Sequence, residues 1–131
     1  RWVRLPVSAE AAWAVAGGFG SVAAWHPLVA ESPEFTLEGD RCRHLKLTDG
    51  GLFLDRLEAE TPLSYRYAVV DGPAALAEAR GTLSAVAEGD GGCHVFWSLD
   101  FEPADETADA IAAGLIESGL EGLRARLGGA A

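Results

Sequence analysis

Trp25, His26 and Pro27 stand side by side where an Ala-rich stretch gives way to a strand-like one. An imidazole takes up and releases a proton near neutral pH. The corner therefore reads as a catalytic corner, as the rim of a pocket, or as a closed helix end. In that last reading Trp25 packs inward, His26 caps and Pro27 sets the turn. The other two histidines, His44 and His94, fall opposite Leu45 and Val95 in alternating runs and point outward. The three histidines make no metal-ligand set, so no metal and no cofactor are expected. No Ser-His-Asp or Cys-His order suggests a covalent nucleophile, and no glycine-rich loop joins a strand to a helix. Cys42 and Cys93 lack metal or redox spacing and read as reduced, partly buried thiols.

The elements that must place these groups follow from pattern and punctuation. Residues 2–7 read as a strand. Ser8 is a good N-cap for a short helix that Gly17 and Gly18 stop, and residues 19–25 give a second short helix ending at His26-Pro27. Six further strands are predicted over 28–38, 42–48, 52–60, 63–70, 76–88 and 93–101, with short connections that imply antiparallel neighbours. The closing helix starts at Asp105 or Thr107 and stops at Gly128, with Ile111, Leu115, Ile116, Leu120, Leu123 and Leu127 on one side. The fold class is α+β: a curved seven-stranded antiparallel sheet around one long helix, with two short helices after the first strand. Residues 1–131 form one domain.

Alternation assigns an inward face to each strand. Tyr65 and Tyr67 point inward from one strand and Trp97 from another. Leu45 shares a face with Arg43, and Phe53 with Asp55, given a three-residue loop Asp49-Gly50-Gly51. A two-residue loop would turn Leu52, Leu54 and Arg56 inward instead. The inward row Ala77, Ala79, Gly81, Leu83, Ala85 is unusually small. The closing helix carries Gly114, Gly119 and Gly122 in its interior, where glycine costs about 1 kcal/mol against alanine. Small surfaces facing each other leave either a close contact or a hollow. With Arg43, Asp55, Tyr65 and Tyr67 turned inward, the expectation is a hollow of a few hundred cubic ångströms, on the order of known ligand pockets. Arg43 and Asp55 have an alternative reading as a buried ion pair that only steadies neighbouring strands, but such pairs add little net stability, which favours a ligand-orienting role.

Twenty acidic residues against ten basic ones give a net charge of −10. That field repels phosphate backbones, so nucleic acid is not an expected partner. The longest apolar run is short and glycine-broken, so membrane insertion is not expected either. The absence of a leader pattern points to the cytoplasm.

The stretches LPVSAEAAWAV, FGSVAAWHPLV, CRHLKLTDGGLFLDRLE, LSYRYAVVDGP, HVFWSLDFEPAD and IESGLEGL run over nearly the whole chain. Together they resemble the polyketide cyclase/dehydrase-like branch of the START-like (SRPBCC) superfamily, related to birch-pollen-allergen-like proteins and abscisic-acid receptors. The resemblance implies the helix-grip fold and an internal cavity for a small hydrophobic molecule. It aligns Asp55 with a cavity glutamate and Tyr65 with a cavity aromatic of the receptors, and the loops Thr48–Leu52 and Val70–Ala74 with those that close over their ligand. The receptors' carboxylate-holding lysine is absent. Expected ligand contacts are Arg43, Phe53, Asp55, Tyr65, Tyr67, Ala79, Gly81, Trp97, Leu115 and Gly119. A cyclase of this type would use His26 as general base, with Asp55 tuning it and Arg43 or a tyrosine steadying an enolate. Three functions stay open: binding or transport of the ligand, cyclisation or dehydration in the same cavity, or protein interaction with an incidental cavity. Homodimerisation is compatible with each.

Overall fold

The computed structural model describes residues 1–72, 76, 78–101 and 106–128. Strand β1 (Trp2–Leu5) leads into α1 (Ala9–Ala16). Ser8 caps that helix as its sequence predicts, its hydroxyl accepting from the Ala11 N–H at 3.1 Å. The predicted second helix is shorter than its Ala-rich sequence suggests: a single 3-10 turn, Val22–Ala24.

The predicted strand over 28–38 is two strands, β2 (Val29–Glu31) and β3 (Glu34–Leu37). Ser32 and Pro33 break it. Ser32 is buried, accepting from the Ala23 N–H at 3.0 Å and donating to the Gly20 carbonyl at 2.8 Å. Its side chain is thus spent on the preceding loop, and Pro33 has no N–H for a ladder. Both strands pair with β4 (Asp40–Leu47). Then follow β5 (Leu52–Thr61), β6 (Ser64–Asp71), β7 (Arg80–Ala87) and β8 (Cys93–Asp100). The sheet order is β1-β8-β7-β6-β5-β4-β2, antiparallel throughout, with β3 beside β4.

The β4–β5 turn decides which side chains of those strands face inward. Leu47 accepts from Gly50 and donates to Gly51, and Gly50 takes φ +92°, a left-handed conformation glycine adopts without strain. The turn is Thr48–Gly50, one residue earlier than expected, but the pairing keeps Leu45 opposite Phe53 and Arg43 opposite Asp55. All four are buried.

Helix α2 (Glu106–Leu127) closes the molecule and buries Ala112, Leu115, Ile116, Gly119, Leu120 and Leu123. Asp105, expected to cap it, lies outside the described residues. Thr107 sits one residue inside the helix rather than capping it. Arg126 in the last turn donates to the Ala24 carbonyl at 2.9 Å, fastening the helix to the loop before Trp25. Strands, helix and order define a helix-grip architecture with eight strands among the described residues, one more than predicted, because β2 and β3 are separate. No helix among the described residues is long and apolar enough to cross a membrane.

Candidate functional site: a buried ion pair beside a small cavity

Arg43 and Asp55 are register partners on β4 and β5, 0% and 1% exposed. The Arg43 Nε donates to Asp55 Oδ2 at 2.9 Å. Its Nη1 donates to the Phe19 carbonyl and to the Tyr65 hydroxyl, each at 2.9 Å. The guanidinium carbon lies 4.2 Å from the Phe19 ring centre, 4.7 Å from that of Tyr67 and 5.3 Å from that of Tyr65. Three aromatic faces thus cage one cation, an arrangement favoured by their ring quadrupoles. Burial pushes the Asp55 carboxyl above the usual carboxylate range, against the opposing pull of Arg43. Burial works against the charged guanidinium too, but Tyr65 and Asp55 outweigh it and hold Arg43 above its ordinary range. Guanidinium groups stay protonated in proteins, and the Asp55 carboxyl faces Arg43 as its counter-ion.

The pair is incompletely satisfied. Arg43 Nη2 and Asp55 Oδ1 are both buried and without a hydrogen-bond partner among the described residues. Such orphans cost about 1–3 kcal/mol each, more when charged. Asp55 also lines a cavity of about 10 Å³, walled otherwise by Leu45, Phe53, Tyr67, Val69, Leu76, Leu99 and Leu115. That is room for a single water molecule.

The hollow of a few hundred cubic ångströms expected from the small residues is therefore absent among the described residues, and side chains fill the space. A Cβ on Gly81 would lie 2.2 Å from Tyr67 Cζ, so the tyrosine ring occupies the gap left by the small row of β7. Trp97 donates its indole N–H to the Tyr67 hydroxyl at 3.0 Å and fixes that ring. A Cβ on Gly119 would lie 2.5 Å from Trp97 and 2.7 Å from His26. Gly114 is exposed with nothing near its missing Cβ, so it does not face the sheet at all. Small residues on strand and helix do not confront each other across empty space; aromatic rings stand between them.

His26 is buried in that packing. Its Nδ1 accepts from the Leu28 N–H at 3.1 Å, which leaves the proton on Nε2, and Nε2 donates to the Leu115 carbonyl at 2.7 Å. Burial lowers its pKa, with the Leu115 bond opposing. Both ring nitrogens are engaged by backbone, and neither bonds Asp55. A Cβ on Gly122 would meet the Trp25 carbonyl oxygen at 2.2 Å, so the Trp25-His26-Pro27 corner docks on bare helix backbone at Gly119 and Gly122. The corner is a joint between loop and helix.

Of the expected site residues, Phe53, Asp55, Tyr67 and Leu115 line the cavity. Arg43 and Tyr65 stand behind Asp55 in the cage, and Trp97 holds Tyr67. Ala79 is buried but is not in the cavity wall, and Gly81 and Gly119 are covered by rings. Phe19 was missed, although an aromatic between glycines in GGFG is a visible oddity. Pro73 and Ala74 of the second expected loop lie outside the described residues, as does Ala77.

The outer face of the sheet carries a different concavity, an open groove of about 910 Å³. Arg56, Ala68, Arg80 and Asp100 cross its floor in register on four strands. Glu58 already pairs with Arg80 at 3.0 Å and Arg56 at 3.7 Å, so much of its charge is internally matched.

Fold and buried pair together define a helix-grip domain with a polar centre inside its sheet. Residues 2–128 match the family model described as polyketide cyclase / dehydrase and lipid transport, and the chain belongs to that family. Among solved structures it is similar to the protein XoxI from Bacillus cereus: 26% identity, 97% of this chain and 92% of that one covered, TM-score 0.85. A START superfamily protein from Mycobacterium smegmatis shares the fold at 12% identity, with 97% and 94% covered and TM-score 0.70. The di-domain ARO/CYC StfQ from the steffimycin biosynthetic pathway shares it at 10% identity, with 95% of this chain and 48% of that one covered and TM-score 0.71. No curated protein matches the chain. The family's description covers lipid transport and cyclase or dehydrase chemistry, and the START and StfQ likenesses are ones of fold.

Proposed function

We propose that this domain binds a small, largely apolar molecule at the interior end formed by β5, β6, β8 and α2. The single observation that carries this reading is a carboxylate with an unpartnered oxygen in a cavity wall that is otherwise nearly all apolar. Apolar walls with few convergent polar groups are what small-molecule sites present. The cavity has room for one water, so a larger guest must displace Leu76, Leu99 or Leu115. These side chains come from separate elements and are not tied by polar contacts.

Binding is favoured over turnover by the state of His26. A general base needs a free lone pair near its substrate. Here that lone pair accepts the Leu28 N–H, and the opposite nitrogen is spent on Leu115. The StfQ likeness, at 10% identity, is one of fold and lends no catalytic residue.

Titration with Nile red, a neutral fluorophore, tests the reading. A blue-shifted, saturable emission is expected, and Leu115→Phe, which fills the cavity wall, should weaken it at least fivefold. Emission that stays as in buffer, or binding indifferent to Leu115→Phe, would sink the proposal.

A further inference from the structure

Granting an interior ligand, we infer that its polar group is a neutral hydroxyl, read by Asp55 Oδ1 and Arg43 Nη2 together. This rests on the binding reading above and adds the chemical class of the guest.

The inventory of the pair decides the class. Arg43 spends Nε on Asp55 and Nη1 on Phe19 and Tyr65, and only Nη2 remains. Asp55 spends Oδ2 on Arg43, and only Oδ1 remains. The free functions of the pair are thus the two N–H donors of Nη2 and the single acceptor oxygen Oδ1. A hydroxyl donates to the carboxylate and accepts one of the two guanidinium N–H bonds, giving each orphaned atom a partner. A carboxylate guest has two acceptors and no donor. It would leave Oδ1 unpaired and bring a second negative charge against Asp55 with no further cation to meet it. An ammonium guest has donors only and would place a third charge beside an already matched pair. A purely apolar guest would leave both orphans without a partner.

Position agrees with chemistry. Asp55 stands in the cavity wall, whereas Arg43 lies behind it in its aromatic cage. The guest therefore meets the acceptor first. Tyr67 also lines the cavity, and its oxygen already accepts from Trp97, so it offers a second edge at which a hydroxyl can settle.

Three probes of one size separate the outcomes: 2-naphthol, naphthalene and 2-naphthoate, titrated at neutral pH and followed by the Trp97 indole N–H resonance. That proton bonds Tyr67 in the cavity wall and reports occupancy directly. The naphthol is expected to bind about tenfold tighter than naphthalene, the worth of one good charge-assisted hydrogen bond, and tighter still than the naphthoate. In Arg43→Met/Asp55→Leu the naphthol preference should vanish while naphthalene binding survives. The wild-type comparison decides by itself should that variant not fold. Equal affinities for naphthol and naphthalene overturn the inference, because the pair then closes on itself or on a retained water, yet they leave the binding site standing. A naphthoate preference also overturns it and makes Arg43 the reader. If none of the probes binds, the interior reading fails with it.

Discussion

The His26 imidazole donates to the Leu115 carbonyl at 2.7 Å by lying against helix backbone that Gly119 leaves bare. Leu115 is four residues before Gly119, so the ring reaches the carbonyl that closes the helical turn there. A histidine and a mid-helix glycine are thus two halves of one joint, and each explains the other.

Gly119→Ala and Gly114→Ala should change stability in opposite directions. Alanine is the better helix former by about 1 kcal/mol, and at Gly114 nothing opposes that gain, so about 1 kcal/mol of stabilisation is expected. At Gly119 the new methyl meets Trp97 and His26, and net destabilisation of about 1–3 kcal/mol is expected. Urea midpoints at constant slope measure both.

His26 links this joint to pH. Its folded pKa lies below the ordinary value of 6.5. Between the two values the unfolded chain binds a proton that the folded chain refuses. Stability from this group is therefore complete above about pH 6.5 and falls as pH drops toward the folded value, by at most about 1.4 kcal/mol per pH unit. His26→Gln, which retains a donor, should be less stable at pH 7.5 yet lose less between pH 6.5 and 5 than the parent. Parallel curves from urea titrations would refute the assignment.

Breaking the Arg43–Asp55 pair from one side should cost more than replacing it whole. Arg43→Met strands a buried carboxylate, and Asp55→Leu strands a buried guanidinium, each at about 3–5 kcal/mol. The double variant Arg43→Met/Asp55→Leu should be more stable than either single variant, although Tyr65 and the Phe19 carbonyl lose a donor. A double-mutant cycle on chemical unfolding reads the coupling.

Cys42 and Cys93 should both be silent to a thiol reagent in the folded protein and titrate fully in denaturant. Both are buried and free, and burial raises both thiols, leaving little thiolate to react.

The chain alone makes legible the broad order of elements, the antiparallel sheet around one closing helix, and the inward aim of Arg43, Tyr65, Tyr67 and Trp97, whereas Asp55 faces inward only because the turn is Thr48–Gly50. These follow from local rules: alternation along a strand, capping at Ser8, helical spacing from Ile111 to Leu127, and turn residues between runs. Whether a row of small residues borders a hollow is not a local property. It depends on what stands opposite, and only the tertiary structure set the Tyr67 ring over Gly81, His26 and Trp97 over Gly119, and Gly114 out toward solvent. The same holds for Phe19, whose loop reaches Arg43 across 24 residues of chain. Side-chain direction repeats with the backbone period, whereas volume is filled by partners remote in sequence, so the first was legible from the chain and the second was decided by the fold.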